Sequence, residues 1–330
     1  MEERELGTTG VRLKRVVLGC GNFGGIGSAT ELFGKAGESD HEAFAIMETA
    51  WSLGLTTFDT ADAYGGGRSE SAIGKWIAAT GNRPTITTKT FAPMDVGQDH
   101  GLGRDRILRQ IDSSLERLEV DHVDLYLAHA PDPDTPVEET IGAFEELVDR
   151  GQIRAYGVSN VTADDLRAAL AVGEPALVQN SYSLLDRGDE EEVLPLCREH
   201  GIGYEAFSPL AGGWLTGKYR RGETPPTGSR MELRPGPYGA FLDDRVFDAL
   251  EAFAGVAAER GTDMGTLAHA WLLARPGLTA FVSGPRRPEH VRAAAAAAEL
   301  QLSPAEADEL AALFPQGESR STVQPSPSRE

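Results

Sequence analysis

The sequence predicts a single (β/α)8 barrel, in which eight parallel strands alternate with helices. Eight short apolar runs are rich in β-branched residues and lack clean polar alternation, as expected of strands that are covered on both faces. Segments of helical length separate these runs. Polar residues collect at the carboxyl ends of the runs, which is where barrels of this class carry their functional groups.

The strands and helices follow in regular alternation. The predicted strands cover residues 15–19, 56–60, 85–89, 123–128, 153–158, 176–180, 203–207 and 279–283. The predicted helical segments cover 41–54, 69–80, 104–119, 137–150, 163–172, 189–200, 243–260 with 263–275, and 288–299. Capping boxes indicate three helix starts, at the pairs Ser39/Glu42, Thr162/Asp165 and Ser303/Glu306.

Two segments fall outside this alternation. Residues 209–242, after the seventh strand, are rich in Gly and Pro and are interpreted as a long functional loop. Residues 316–330 are polar and rich in Pro and Ser, which predicts a disordered tail. Residues 1–315 are therefore assigned to one barrel domain.

Charge and composition narrow the possible partners. The chain carries 51 acidic and 31 basic residues, a net charge of −20, which argues against nucleic acid or an anionic membrane as partner. Any anionic ligand must therefore find a local cluster of cations. Two cysteines, no signal-like N-terminus and no apolar stretch of membrane length predict a cytoplasmic protein. The sequence indicates no metal site and leaves the oligomeric state open.

The stretch "LGCGNFGG" places Gly19, Gly21 and Gly24 in a G-x-G-x-x-G pattern after the first strand. A Rossmann fingerprint would also need a helix opening on the glycines and an acidic residue about 20 positions later. The residues after Gly24 look like a loop, and Asp59 is too distant. We interpret the glycines as a first loop in which missing side chains let a ligand approach the backbone.

Polar side chains occur at every predicted strand end. They are Asn22, Asp59, Tyr64, Lys89, His129, Ser159, Asn160, Gln179, Asn180, Ser208, Ser283 and Arg286. Each alone has an ordinary explanation, such as helix capping or rim packing. Four of them, however, come from consecutive strand ends and are expected to share one pocket: Asp59, Tyr64, Lys89 and His129, called the tetrad below.

The tetrad suits carbonyl reduction. A tyrosine, with an ordinary pKa of about 10, holds a proton to donate at neutral pH. A neighbouring lysine stabilises the phenolate, an aspartate orients the lysine, and a neutral histidine can hydrogen-bond the carbonyl oxygen. No side chain supplies a hydride, so a cofactor is required.

Several sequence blocks in order resemble the aldo-keto reductase family across nearly the whole chain. They are "FDTADAYGGGRSESAIGKW" (58–76), "TKT" (88–90), "DLYLAHAPD" (124–132), "YGVSN" (156–160), "VQNSYSLLD" (178–186), "AFSPLAGGWLTGKY" (206–219) and, more loosely, "SGPRRPEHV" (283–291). The resemblance implies that the tetrad is catalytic, with Tyr64 as proton donor. It also implies an extended NADP(H) bound without a Rossmann fold, with NADH the less favoured cofactor.

The resemblance assigns the cofactor contacts as well. It implies that Ser159, Asn160 and Gln179 hold the nicotinamide carboxamide and that Phe207 stacks on the ring. The remaining implied contacts are Gly21, Asn22, Ser208, Leu210, Gly212, Lys218, Gly284 and His290, with Arg286 meeting the ribose 2′-phosphate. The chain departs from the family in reading "SGPR" near Arg286 and in having Ala294 where an adenine contact is expected.

The sequence predicts only that the substrate is a small carbonyl compound. Residues 25–39 make the first loop longer than usual, and they can shape a substrate mouth with Phe23, Phe91 and Trp214 as apolar walls. These aromatic residues can equally pack the rim. Two other functions stay open: a barrel lyase that forms a Schiff base on Lys89, and a non-catalytic NADP(H)-binding regulatory protein on the same fold.

Overall fold

The computed structural model describes residues 1–315, and the predicted (β/α)8 barrel is confirmed. The predicted disordered tail, 316–330, lies outside the described residues. The strands are β1 (Glu3–Glu5), β2 (Arg12–Lys14), β3 (Val16–Gly19), β4 (Thr57–Asp59), β5 (Thr85–Thr90), β6 (Val123–Ala128), β7 (Ile153–Ser159), β8 (Leu177–Ser181), β9 (Gly203–Phe207) and β10 (Ala280–Ser283). Strands β3 to β10 are parallel, and β10 pairs with both β3 and β9 to close the barrel.

The helices surround the barrel in the predicted order. They are α1 (Asp40–Ser52), α2 (Arg68–Thr80), α3 (Arg104–Leu118), α4 (Val137–Asp149), α5 (Ala163–Leu170), α6 (Val193–His200), α7 (Arg230–Leu233), α8 (Asp244–Glu259), α9 (Met264–Ala274), α10 (Pro288–Ala296) and α11 (Pro304–Ala312). All three predicted capping boxes are present, at the starts of α1, α5 and α11. Helix α6 begins later than predicted, so that Pro195, which has no N–H to donate, falls in its first turn.

An N-terminal hairpin, which the sequence analysis missed, closes the lower end of the barrel. Strands β1 and β2 pair antiparallel around a turn with positive φ at Gly7 and Gly10. Leu6, Val11 and Leu13 are buried and form one apolar cluster with residues of β6, β7 and β8, including Leu125 and Leu177. The hairpin thus seals the end of the barrel opposite to the strand carboxyl ends.

The long loop after β9 is ordered by its own structure. It contains 3-10 turns at Ala211–Thr216 and Gly236–Phe241, with α7 between them. Trp214 is fully buried and contacts the rings of Tyr219, Phe241 and Phe247. This aromatic packing fixes the loop over the carboxyl ends of the strands. Within residues 1–315, no helix has both the length and the apolar character that a membrane crossing requires.

Shortening a buried side chain of the N-terminal hairpin should lower the stability of the protein. We expect Leu13→Ala to reduce the free energy of unfolding by about 2–5 kcal/mol, because a fully buried leucine leaves a cavity when it is shortened. Leu53→Ala, at a site that is 39% exposed, is the matched control and should cost less than about 1 kcal/mol. Urea unfolding followed by tryptophan fluorescence measures both. Equal losses in the two variants would show that the hairpin does not act as a plug.

Candidate active site

The four tetrad residues come together at the carboxyl end of the barrel, in the order that the sequence predicts. Asp59 is the last residue of β4, Lys89 lies near the end of β5, and His129 directly follows β6. Tyr64 lies in the turn between β4 and α2. Neighbouring parallel strands place their ends on one rim, and for this reason residues 70 positions apart in the chain become neighbours.

The Lys89 ammonium group is the centre of this arrangement. It is fully buried, and its Nζ donates to Asp59 Oδ1 at 2.7 Å and to the Thr60 carbonyl at 2.9 Å. The same Nζ lies 3.4 Å from Tyr64 Oη. A single buried cation therefore joins the carboxylate to the phenol.

Opposing electrostatic effects set the charges of these groups. Burial alone would lower the pKa of Lys89, but the charge and hydrogen bond of Asp59, together with Tyr64 and Glu205, outweigh burial, and the net pKa is raised. Burial also raises the pKa of Tyr64, and the Lys89 charge opposes that rise. At neutral pH the site therefore holds a charged ammonium next to a protonated phenol.

His129 is neutral in this environment. Burial and the nearby Lys89 charge lower its pKa to about 3. Its ring lies edge-on to that of Tyr64, with the centroids 5.4 Å apart, and Asn160 Nδ2 donates to its backbone carbonyl at 2.7 Å. Within the described residues its Nδ1 is buried without a hydrogen-bond partner. The imidazole can thus hydrogen-bond a ligand without adding charge.

A buried glutamate, which the sequence analysis missed, supports Asp59 from below. Gln179 Nε2 donates to Asp59 Oδ2 at 2.7 Å and to Glu205 Oε2 at 2.6 Å. Glu205 is fully buried in β9, where burial and the Asp59 charge raise its pKa. The sequence feature that could have identified Glu205 is its position as a charged residue inside the apolar strand "GYEAF". Gln179, predicted to hold the carboxamide, thus also links two carboxylates.

Two glycines of "LGCGNFGG" are required by close packing of protein atoms, and the expectation that this loop lets a ligand approach its backbone stays a prediction. A Cβ on Gly19 would lie 2.7 Å from Val282 Cγ1, and one on Gly24 would lie 2.6 Å from Arg68 Cβ. A Cβ on Gly21 would lie 3.4 Å from the Tyr64 ring, which is an ordinary van der Waals contact. Gly19 and Gly24 therefore serve close packing.

Three cations gather beside the tetrad in this acidic protein: Lys218, Arg230 and Arg286, called the cationic cluster below. Partial burial, and then the charges of Arg230 and Arg286, lower the pKa of Lys218. Arg230 donates to Asn22 Oδ1, and Arg286 donates to the Gly228 carbonyl at 2.9 Å. The cluster supplies the positive charge that an anionic ligand needs here. Arg230, and Glu38, which pairs with Arg286, were not singled out from the sequence.

The other predicted cofactor contacts lie on the three loops around this cluster. Asn22 Nδ2 lies 3.4 Å from the Gly284 carbonyl, and His290 Nδ1 accepts from the Arg286 amide at 3.2 Å. Phe207, the last residue of β9, and Ser208, Leu210 and Gly212 on the loop after it are partly exposed. Ser159, at the end of β7, is buried and lies 3.1 Å from Asn160 Nδ2. These donors and cations are the groups available to hold a dinucleotide.

All three proposed substrate walls are buried by the protein itself. Phe23 is 1% exposed beneath the first loop, and Trp214 has no exposed surface because the loop after β9 packs around it. Phe91 is 7% exposed and contacts the His100 ring. Trp214 and Phe23 therefore pack the rim and do not line an open mouth. Within the described residues, no group of His, Cys, Asp and Glu has the arrangement of a metal site.

Comparisons with known proteins agree with this geometry. The model of the Aldo/keto reductase family matches residues 16–314. An uncharacterized oxidoreductase, YrpG of Bacillus subtilis, is 38% identical over 92% of this chain and 92% of its own length. The NADH-specific methylglyoxal reductase of Escherichia coli is 34% identical over 93% and 96%. The structure of the glycerol dehydrogenase AKR11B4 from Gluconobacter oxydans superposes with a TM-score of 0.82 at 26% identity, covering 94% of each chain.

The matched family, the closed barrel and the oxidoreductase relatives lead to one assignment. The chain belongs to the aldo-keto reductase family, and it is an NAD(P)H-dependent oxidoreductase.

Proposed function

We propose that the protein reduces small aldehydes or ketones to alcohols, with Tyr64 as the proton donor. The observation that carries this proposal is the buried Lys89 ammonium, held by Asp59 at 2.7 Å and lying 3.4 Å from the Tyr64 hydroxyl. A cation at this distance lowers the cost of forming a phenolate, and it does so without water to screen it.

The proposed coenzyme is NADP(H), with NADH as the alternative. The cationic cluster would hold the phosphates, and Arg286, whose side chain is 47% exposed, would meet the 2′-phosphate. Ser159, Asn160 and Gln179 would hold the carboxamide, next to the tetrad. When bound, the reduced nicotinamide supplies the hydride. Because one relative is named NADH-specific, coenzyme choice must depend on residues particular to each chain.

In this proposal each tetrad residue has a separate task. The Tyr64 hydroxyl donates its proton to the carbonyl oxygen as the carbonyl carbon receives the hydride, and Lys89 stabilises the phenolate left behind. Neutral His129 donates a hydrogen bond that orients the same carbonyl oxygen. Asp59 keeps Lys89 charged and in place.

The charge of Lys89 argues against the alternative Schiff-base lyase. A Schiff base needs a neutral amine as nucleophile, whereas the raised pKa of Lys89 keeps the ammonium form. The alternative of a non-catalytic regulatory protein would not require a protonated phenol beside a buried cation.

Cytoplasmic location stays a prediction. Both cysteines are free and buried, which is in keeping with that prediction.

Removal of the phenol hydroxyl should remove most activity. We expect Tyr64→Phe to lower kcat/KM by about 10²–10⁴-fold, because the general acid is lost while the ring and its packing remain. The assay is loss of NADPH and NADH absorbance with a panel of carbonyls that includes methylglyoxal. Coenzyme affinity, measured by fluorescence quenching, should be unchanged. Full activity in this variant would exclude Tyr64 as the acid, and coenzyme binding with no turnover of any carbonyl by the unaltered protein would favour the regulatory alternative.

The pH dependence of reduction follows from the same charges. The acid form of Tyr64 is the active one, and its raised pKa means that activity persists up to at least about pH 10. His129, with a pKa of about 3, stays neutral and should cause no break near the ordinary histidine value of about 6.5. We expect a flat kcat/KM profile from about pH 6 to about pH 9, measured at saturating coenzyme. A break near 6.5 that disappears in His129→Gln would show that His129 titrates.

A trapping experiment separates the reductase from the lyase. Protein incubated with a small aldehyde and borohydride should show no more adduct on Lys89 than on Lys75, an exposed lysine that serves as control. The physical reason is that Lys89 remains protonated and buried, whereas Lys75 is open to solvent. Peptide mass spectrometry provides the readout. Selective labelling of Lys89 would instead support the lyase.

A further inference from the structure

A buried carboxylate contacts the cationic cluster. Glu38, in the long first loop, is only 5% exposed, and its Oε1 accepts from Arg286 Nε at 2.8 Å. Its Oε2 is buried and has no hydrogen-bond partner among residues 1–315. Burial raises the pKa of Glu38, and the contact with Arg286 opposes that rise. Thus the arginine proposed to meet the 2′-phosphate already has an anionic partner.

The first loop holds Glu38 rigidly in this position. The Glu38 amide donates to the Asn22 carbonyl at 2.8 Å, and its carbonyl accepts from the Gly24 amide at 2.9 Å. The preceding Gly37 has φ +91°, and a Cβ there would lie 2.2 Å from the Gly25 carbonyl oxygen. The loop cannot carry a side chain at Gly37 without moving. Residues 25–39 therefore act as a scaffold that delivers one carboxylate to Arg286.

The charges at the cluster match a diphosphate without a further phosphate. Lys218, Arg230 and Arg286 bring three positive charges, and Glu38 removes one. Two positive charges remain for the two negative charges of the coenzyme's diphosphate. A ribose 2′-phosphate would add about −1.5 to −2 more next to a buried carboxylate.

We propose that Glu38 determines coenzyme selection by competing with the 2′-phosphate for Arg286, so that the protein uses NADH as well as NADPH. This inference rests on the proposed coenzyme site. In this inference the first loop has a role, because it carries Glu38. Glu38 limits the preference for NADPH over NADH that Arg286 would otherwise confer.

The contact between Glu38 and Arg286 could have the opposite role, and that role predicts the opposite effect of neutralising Glu38. Glu38 accepts from Arg286 Nε, and Nη1 of the same guanidinium donates to the Gly228 carbonyl. If Glu38 only oriented Arg286 toward a phosphate, its neutralisation would weaken 2′-phosphate binding. If Glu38 competes, its neutralisation strengthens that binding.

The experiment measures binding of two nucleotide fragments to the whole protein by titration calorimetry. Adenosine 2′,5′-bisphosphate carries the 2′-phosphate, and 5′-AMP lacks it. We expect Glu38→Gln to tighten binding of the bisphosphate about tenfold and to leave 5′-AMP within about twofold, since Arg286 regains a free charge for the phosphate. The ratio of kcat/KM for NADPH to that for NADH should rise by a similar factor.

Two further variants make the result specific. Glu31→Gln removes an equal charge from an exposed site in the same loop and should change neither fragment by more than about twofold. Arg286→Gln should remove most of the bisphosphate preference, and Glu38→Gln should add nothing in that background. Circular dichroism and thermal unfolding check that each variant is folded.

The outcomes distinguish this inference from the proposed function. Weaker bisphosphate binding in Glu38→Gln, equal changes for both fragments, or the same gain in Glu31→Gln would each overturn the role of Glu38. Failure of the unaltered protein to bind either NAD⁺ or NADP⁺ would instead overturn the proposed coenzyme site itself.

Discussion

The ion pair between Lys89 and Asp59 is the interaction on which the site depends. A buried ammonium loses its hydration, and only close partners offset that loss. Here Lys89 on β5 contacts Asp59 on β4, and Asp59 is held in turn by Gln179 on β8. Strands β4 and β5 are neighbours, whereas β8 lies across the barrel from β4, and the closed barrel brings the three strand ends together. The barrel fold is thus needed to hold the charged Lys89 in place, and the charge of Lys89 is needed to stabilise the phenolate of Tyr64.

The sequence was sufficient for the barrel and the tetrad because both depend on periodic or local features. Strand runs and capping boxes mark the elements, and parallel strands necessarily bring their carboxyl ends to one rim. The N-terminal hairpin was missed because its two strands have only three residues each and its buried face is visible only against the barrel floor. Glu205 and Glu38 were missed because their partners, Gln179 and Arg286, are distant in sequence.

Residue type alone left two interpretations open. Glycines in the first loop suggested access for a ligand, yet at Gly19 and Gly24 the space that a side chain would fill is taken by Val282 and Arg68. Trp214 suggested a substrate wall, yet the loop after β9 needs it as a core of its own. Both cases have one cause: a small or an aromatic residue fits a ligand site and a packed loop equally well, and only the neighbouring atoms decide between them.

Electrostatics connect the composition of the chain to its ligand site. A net charge of −20 repels anions at long range, but screening confines that repulsion to about 8–10 Å at physiological salt. A cluster of three cations can therefore attract a dinucleotide locally, provided that those cations do not repel one another out of position. Burial first, and then the charges of the neighbouring arginines, lower the pKa values of Lys218 and Arg230. A carboxylate fixed beside Arg286 relieves the repulsion among the cations before any ligand binds. The same contact that stabilises the cluster thus limits how much negative charge it can accept.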